Sequence, residues 1–172
     1  MMLVVKIGIF SFIIISVKTM FVLFFQEEDT KVKMMKEISD FIEFLRIYSC
    51  SMRMSFEEIL SNYSFKYENV KYVFCELLYV LKKENLDEDV NNSFEDYLAI
   101  QIKSPMEFNA KVSKLLSFYG NSMSDVLDSK LSFLKNDINK YIDNYEDEYK
   151  ERKNLLNKLS LLIGSLIAIV LI

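Results

Sequence analysis

Three groupings in this sequence have the residue types that chemistry uses. The first is a carboxylate run, Glu146, Asp147, Glu148 and Glu151, with the composition to supply a general acid and a general base. Its spacing argues for something plainer. Glu146 with Lys150 and Glu148 with Arg152 stand four apart, which on a helix sets opposite charges side by side along a solvated face. The second grouping, Asp87, Asp89 and Asn91, occupies the first, third and fifth places of an EF-hand calcium loop. The sixth place, which needs glycine for its sharp turn, is Asn92, and the twelfth, which needs a bidentate glutamate, is Leu98. The match fails, and a solvated acidic connection is the expectation. The third grouping is Cys50 with Cys75, too few and too far apart for a disulfide framework. With no histidine in the sequence a conventional zinc site is hard to build, so buried reduced thiols in a cytosolic compartment are expected.

Other chemistries find no residues to carry them. Gly8, Gly120 and Gly164 are too scattered to make a phosphate-cradling loop, and no serine or cysteine stands in a recognisable nucleophile setting. The ten tyrosines and fourteen phenylalanines fall mainly on apolar stripes, which points to core packing rather than to a stacking platform for bases. Of the 21 basic residues, Lys6 and Lys18 lie in an oily N-terminal run; the other 19 share the rest of the chain with all 25 acidic ones, a net charge of −6 with no basic run to neutralise phosphates. The expectation is no catalytic residue, no cofactor, no metal, no small-molecule substrate and no nucleic-acid partner. The chain reads as a non-enzyme whose work is done through protein partners and a membrane.

The elements that would position such contacts are helical. Among 172 residues there are three glycines and one proline, Pro105, and such scarcity of turn formers predicts few, long helices with short connections. Residues 3–25 are long enough to cross a bilayer and are interrupted only by Lys6 and Lys18, so they read as an uncleaved anchor. Lys18 is costly inside lipid and is expected to snorkel toward the nearer interface or to face another helix. Past Gln26, the acids Glu27, Glu28 and Asp29 suit the positive end of a new helix, whose apolar stripe is Met35, Ile38, Ile42, Leu45 and Tyr48. Ser55 with Glu58 forms a capping box ahead of a helix of two turns. Val70, Val73, Phe74, Leu77, Leu78 and Leu81 stripe a third helix closing at Lys82 and Lys83, followed by a polar loop over 84–92. Ser93 is expected to cap a short helix carrying Phe94, Tyr97, Leu98 and Ile102. Ser104, Pro105 and Glu107 open the next, which ends at Gly120, and Ser122 with Asp125 caps the last.

That last helix changes character along its length. Leu127, Leu131, Leu134 and Ile138 form a packing seam with charged residues between, and after Lys158 the residues 159–172 carry no charge at all. Although that run is shorter than the usual span of about 20 residues, it is oily all round, and it reads as a second anchor continuous with the helix before it. Lys31, Lys33, Lys36 and Arg46 follow the first anchor, and Lys150, Arg152, Lys153 and Lys158 precede the second. By the positive-inside rule residues 27–157 are cytosolic.

Four stretches carry a resemblance. Lys6, Ile7 and Gly8 open the first anchor; MSFEEIL runs from Met54; LLSFYGNS runs from Leu115; and ERKNLLNKLSLLIGSLIAIVLI, from Glu151, joins a charged arm to an oily segment containing Gly164. Together they resemble the stage III sporulation protein AB family (SpoIIIAB), along the whole chain, with Gly8, Gly120 and Gly164 as motif-matching backbone positions. The sequence departs from the family at Ser55, where proline is common, at Lys18 within the anchor, and over 123–129, which lack a glutamine.

The resemblance implies a six-helix domain like the cytosolic domains of type II secretion F proteins (GspF-like). It also implies a place in the mother-cell membrane surrounding the forespore, within the SpoIIIA–SpoIIQ complex that is required for endospore formation. The SpoIIIAA ATPase would be the cytosolic partner. The expected fold is all-α, an antiparallel bundle of about six helices flanked by an N-terminal and a C-terminal transmembrane helix, divided as 1–26, 27–154 and 155–172. A generic membrane-anchored helical adaptor in division or the envelope is the competing reading, followed by a membrane-bound enzyme using the carboxylates of 146–151.

Overall fold

The computed structural model describes residues 2–83, 88–121 and 124–171, which form six α-helices and, among the described residues, no strand. They are α1 (Met2–Ser51), α2 (Phe56–Asn62), α3 (Glu68–Lys82), α4 (Glu88–Ile102), α5 (Met106–Asn121) and α6 (Ser124–Leu171). The helices sort into two compact units, one of Met1–Thr30 with Asn144–Ile172 and the other of Lys31–Asp143.

The unit Lys31–Asp143 is built around one ring. Phe41 of α1 is fully buried, with the centroids of Phe74, Tyr63, Phe65 and Phe56 at 4.1, 5.0, 5.1 and 6.2 Å. Tilted and edge-on rings at these separations combine a large buried area with favourable quadrupole contacts. Around them the stripes expected from periodicity turn inward: Ile38, Ile42 and Leu45 of α1, Val70, Val73 and Leu77 of α3, Phe94, Leu98 and Ile102 of α4, Phe108, Val112 and Leu115 of α5. Leu131, Leu134 and Ile138 of α6 are buried and Leu127 is half-buried. Polar contacts set the directions. Ser39 donates to Asn139 and Arg46 Nη1 bonds Asp128 at 2.8 Å, so α1 and α6 run antiparallel in this unit. Lys111 with Asp137 at 2.9 Å and Phe108 with Tyr141 at 6.1 Å run α5 antiparallel to α6.

The helix ends show how local rules and packing share the work. Ser55 caps α2 as its sequence predicts: its Oγ accepts from Glu58 N–H at 3.3 Å, while the Glu58 carboxylate accepts from Ser55 N–H at 2.9 Å. Tyr67, at the start of α3, has no capping side chain of its own. Glu37, only 4% exposed, reaches across from α1 and accepts the N–H groups of Lys66 and Tyr67, which satisfies donors and carboxylate together. Lys103 follows α4 with φ 56° and its N–H bonded to Ala99 O at 3.0 Å, the left-handed cap that glycine usually supplies.

Four expectations change. No break separates an anchor from an arm: α1 is a single helix of 50 residues. No glycine or proline interrupts it beyond Gly8, and Asp29 and Glu28 are engaged by side chains instead of opening a helix. α4 begins at Glu88, so Ser93 is internal to it; Glu88 and Asp89 suit a helix start, and Val90 shares a groove with Phe94 and Tyr97. α5 begins at Met106, and Ser104 donates to the Asn109 side chain instead of receiving from Glu107. α5 also continues through Gly120 to Asn121. Ser122, of the expected last cap, and Asp87, of the calcium-like loop, lie outside the described residues.

Two substitutions test this account. Phe41→Ala should lower the unfolding free energy of the full chain in detergent by about 3–5 kcal/mol, because the surrounding rings cannot collapse into the gap. Lys103→Gly should raise it by about 1 kcal/mol by removing the Cβ penalty of the left-handed conformation.

Candidate functional site

The carboxylate run at 146–151 is a helix face. Lys150 Nζ sits 3.5 Å from Glu146 and 3.6 Å from Asp147, and Glu148 and Glu151 are exposed. Arg152 turns its Nε to the backbone carbonyl of Glu148 at 3.4 Å, so the expected Glu148–Arg152 ion pair is replaced by a lysine shared between two other acids. The cysteines do not both lie inside: Cys50 is half-buried, but Cys75 is exposed, one position off the buried stripe of α3. Among the described residues no group of three or more His, Cys, Asp or Glu side chains is placed to hold a metal ion.

Concavities between described residues of the unit Lys31–Asp143 include the following two. One, of about 270 Å³ between α3 and α4, is walled by Tyr79, Val80, Phe94 and Tyr97 with Glu76 and Lys83 at its edge. Another, of about 300 Å³, has Glu95, Asp96, Ser104 and Asn109 among its lining. In the second the polar groups already answer one another, since Ser113 donates to Glu95 at 2.7 Å and Ser104 to Asn109. Tyr119 Oη is buried without a hydrogen-bond partner among the described residues, and burial pushes its pKa up to about 12. Ser49 beside it donates its proton to Leu45 O at 2.6 Å, so no nucleophile and base are paired there.

The other unit holds the most distinctive arrangement. Here the N-terminal part of α1 and the C-terminal part of α6 pair as an antiparallel hairpin, closed at one level by a clasp of charged and aromatic residues. Tyr149 Oη lies 2.7 Å from Asp29 Oδ1 and 3.0 Å from the Phe25 carbonyl, both acceptors for its one proton. Lys153 Nζ donates to both oxygens of Asp29, at 2.9 and 3.1 Å, and lies 5.5 Å from the Phe25 ring centroid and 5.3 Å from that of Tyr149. Tyr145 Oη donates to Glu28 at 2.9 Å. Burial, then the bond to Asp29, pushes the Tyr149 pKa up to about 12, with Lys153 opposing. The bond to Asp29 likewise raises Lys153.

Further along the hairpin, a Cβ on Gly164 would meet Ile14 Cα at 3.4 Å, and Ser160 one turn before it is buried. Small residues four apart let the two backbones approach. Gly8, by contrast, has nothing within 4 Å of where a Cβ would stand. Around this contact the apolar side chains face outward: Phe12 is 71% exposed, Met20 75%, Leu166 65% and Ile169 72%. α1 contains a stretch long and apolar enough to cross a membrane. Lys18 is exposed and faces no partner among the described residues.

Sequence periodicity did not disclose the clasp. Glu28 and Asp29 read as a helix start, and Tyr145 and Tyr149 are among the tyrosines whose place on apolar stripes points to core packing. The available signal was that acids and tyrosines stand at the charged borders of two oily runs, where amphipathic side chains collect.

The Tyr149 shift has a definite sign. The group is neutral and bonded when folded, so its contribution is complete below the unfolded pKa of about 10 and is lost as pH rises through about 12. Thermal melting of the full chain in detergent should fall across that window, and Tyr149→Phe should flatten part of the fall.

Neither a protein-family model, a curated protein nor a solved structure matches the chain.

Proposed function

We propose that this chain is a membrane platform subunit of the SpoIIIA–SpoIIQ complex between mother cell and forespore, a scaffold required for endospore formation that contacts the SpoIIIAA ATPase through its cytosolic helices. The observation that carries the membrane part is the outward apolar surface of both oily segments, with Phe12 and Leu166 as examples, around a close Ile14–Gly164 approach. Water would make such a surface costly, whereas hydrocarbon accepts it. In this reading residues 1–26 and 155–172 are the two anchors and 27–154 the cytosolic domain.

The step to sporulation rests on the resemblance of the Lys6–Gly8, Met54, Leu115 and Glu151 stretches to the SpoIIIAB family, and the six all-α helices are compatible with a GspF-like domain. A scaffold acts by holding partners, and its chemistry is contact.

Reporter fusions within 27–157 should be found in the cytosol, and deletion of the gene in an endospore-forming host should stop development after engulfment. Fusions found on the outer side would exclude a cytosolic ATPase partner; normal spore counts would sink the sporulation assignment.

A further inference from the structure

Among the described side chains of the membrane hairpin, two lysines are answered by no acid. Lys18 on α1 and Lys158 on α6 are both exposed, and neither makes a hydrogen bond or ion pair among the described residues. Their neighbours behave differently: Lys150 is shared by Glu146 and Asp147, and Lys153 is held by Asp29. The antiparallel register brings the two unanswered lysines to one level. From the Ile14–Gly164 contact, Lys18 lies four residues along α1 and Lys158 six residues back along α6, in the same direction. At about 1.5 Å per residue these are roughly 6 and 9 Å, a difference of less than one turn.

That level is inside the oily run of α1 and at the charged border of the one in α6. Eleven uncharged residues separate Lys6 from Lys18. Their length, roughly 17 Å, falls short of a hydrocarbon core of about 30 Å. A helix with so short an uncharged run must either thin the bilayer or extend its lysines outward to anionic groups.

We propose that Lys18 and Lys158 form a belt that binds the phosphate groups of anionic phospholipids and thereby sets the depth of the hairpin. The proposal rests on the membrane reading above and adds a ligand to it. Anionic phospholipid is favoured over soluble phosphate because the apolar side chains at this level, Met20 and Leu159, are themselves exposed and suit acyl chains beside the headgroup. Each lysine near an anionic surface is worth about fivefold in local lipid preference.

The test uses the full chain reconstituted in vesicles of phosphatidylcholine with phosphatidylglycerol, extracted gently, with the co-purifying lipids counted by mass spectrometry. The unchanged protein should retain phosphatidylglycerol several-fold above its share of the vesicle. Lys18→Gln with Lys158→Gln should lose that enrichment, Lys18→Arg with Lys158→Arg should keep it, and Lys71→Gln with Lys114→Gln, exposed lysines of the other unit, should leave it unchanged. Equal enrichment in the glutamine pair, equal loss in the control pair, or displacement of the lipid by millimolar inorganic phosphate would overturn the belt. Flotation with the vesicles and helix content by circular dichroism are read in parallel. A wild-type chain that does not float refutes the membrane reading itself, whereas one that floats without enrichment refutes only the lysines.

Discussion

Antiparallel pairing of α1 with α6 is the interaction on which each unit depends. In the unit Lys31–Asp143, Arg46 forks onto Glu43 at 2.9 and 3.0 Å and reaches Asp128 at 2.8 Å, while Lys135 adds a contact to Glu43 at 3.3 Å. The bonds to Glu43 and Asp128 raise the Arg46 pKa and the bond from Arg46 lowers that of Glu43, so both groups stay charged. A bidentate guanidinium–carboxylate pair fixes register as well as attraction. In the hairpin unit Asp29, Tyr149 and Lys153 do the corresponding work.

The two pairings draw on different physics because their surroundings differ. Where α1 carries a polar face, burial of one stripe supplies the drive and the ion pairs select the register. Where α1 and α6 are oily all round, no apolar stripe marks one face for burial. The small residues Ser160 and Gly164 then matter more than size or hydrophobicity, for they decide how near the backbones come.

Within the bundle, the buried carboxylate of Glu37 shows how a polar group can be kept inside. It ties down the two residues that lead into α3, so its desolvation is offset by two backbone donors that would otherwise go unmet. Phe41 lies one turn further along the same helix, and its ring contacts gather α2, α3 and the segment between them onto α1. Neither role follows from helix periodicity, which identifies a buried face without naming what will cover it.

The residues by themselves determined the all-helical class, the inward stripes of α3 and α5, the Ser55 cap and the two oily runs. Each of these is a local property: helical spacing, a capping geometry spanning four residues, or simple absence of charge. Tertiary structure alone decided that α1 continues through Glu27–Asp29, that α4 begins at Glu88, and that Cys75 faces outward. It also brought Asp29 to Tyr149 and Lys153, and Ile14 to Gly164, across more than a hundred residues of chain. The physical reason is that an acidic residue on a helix is equally compatible with a helix start, a solvated face or a distant lysine. Only the partner that folding places beside it makes the choice.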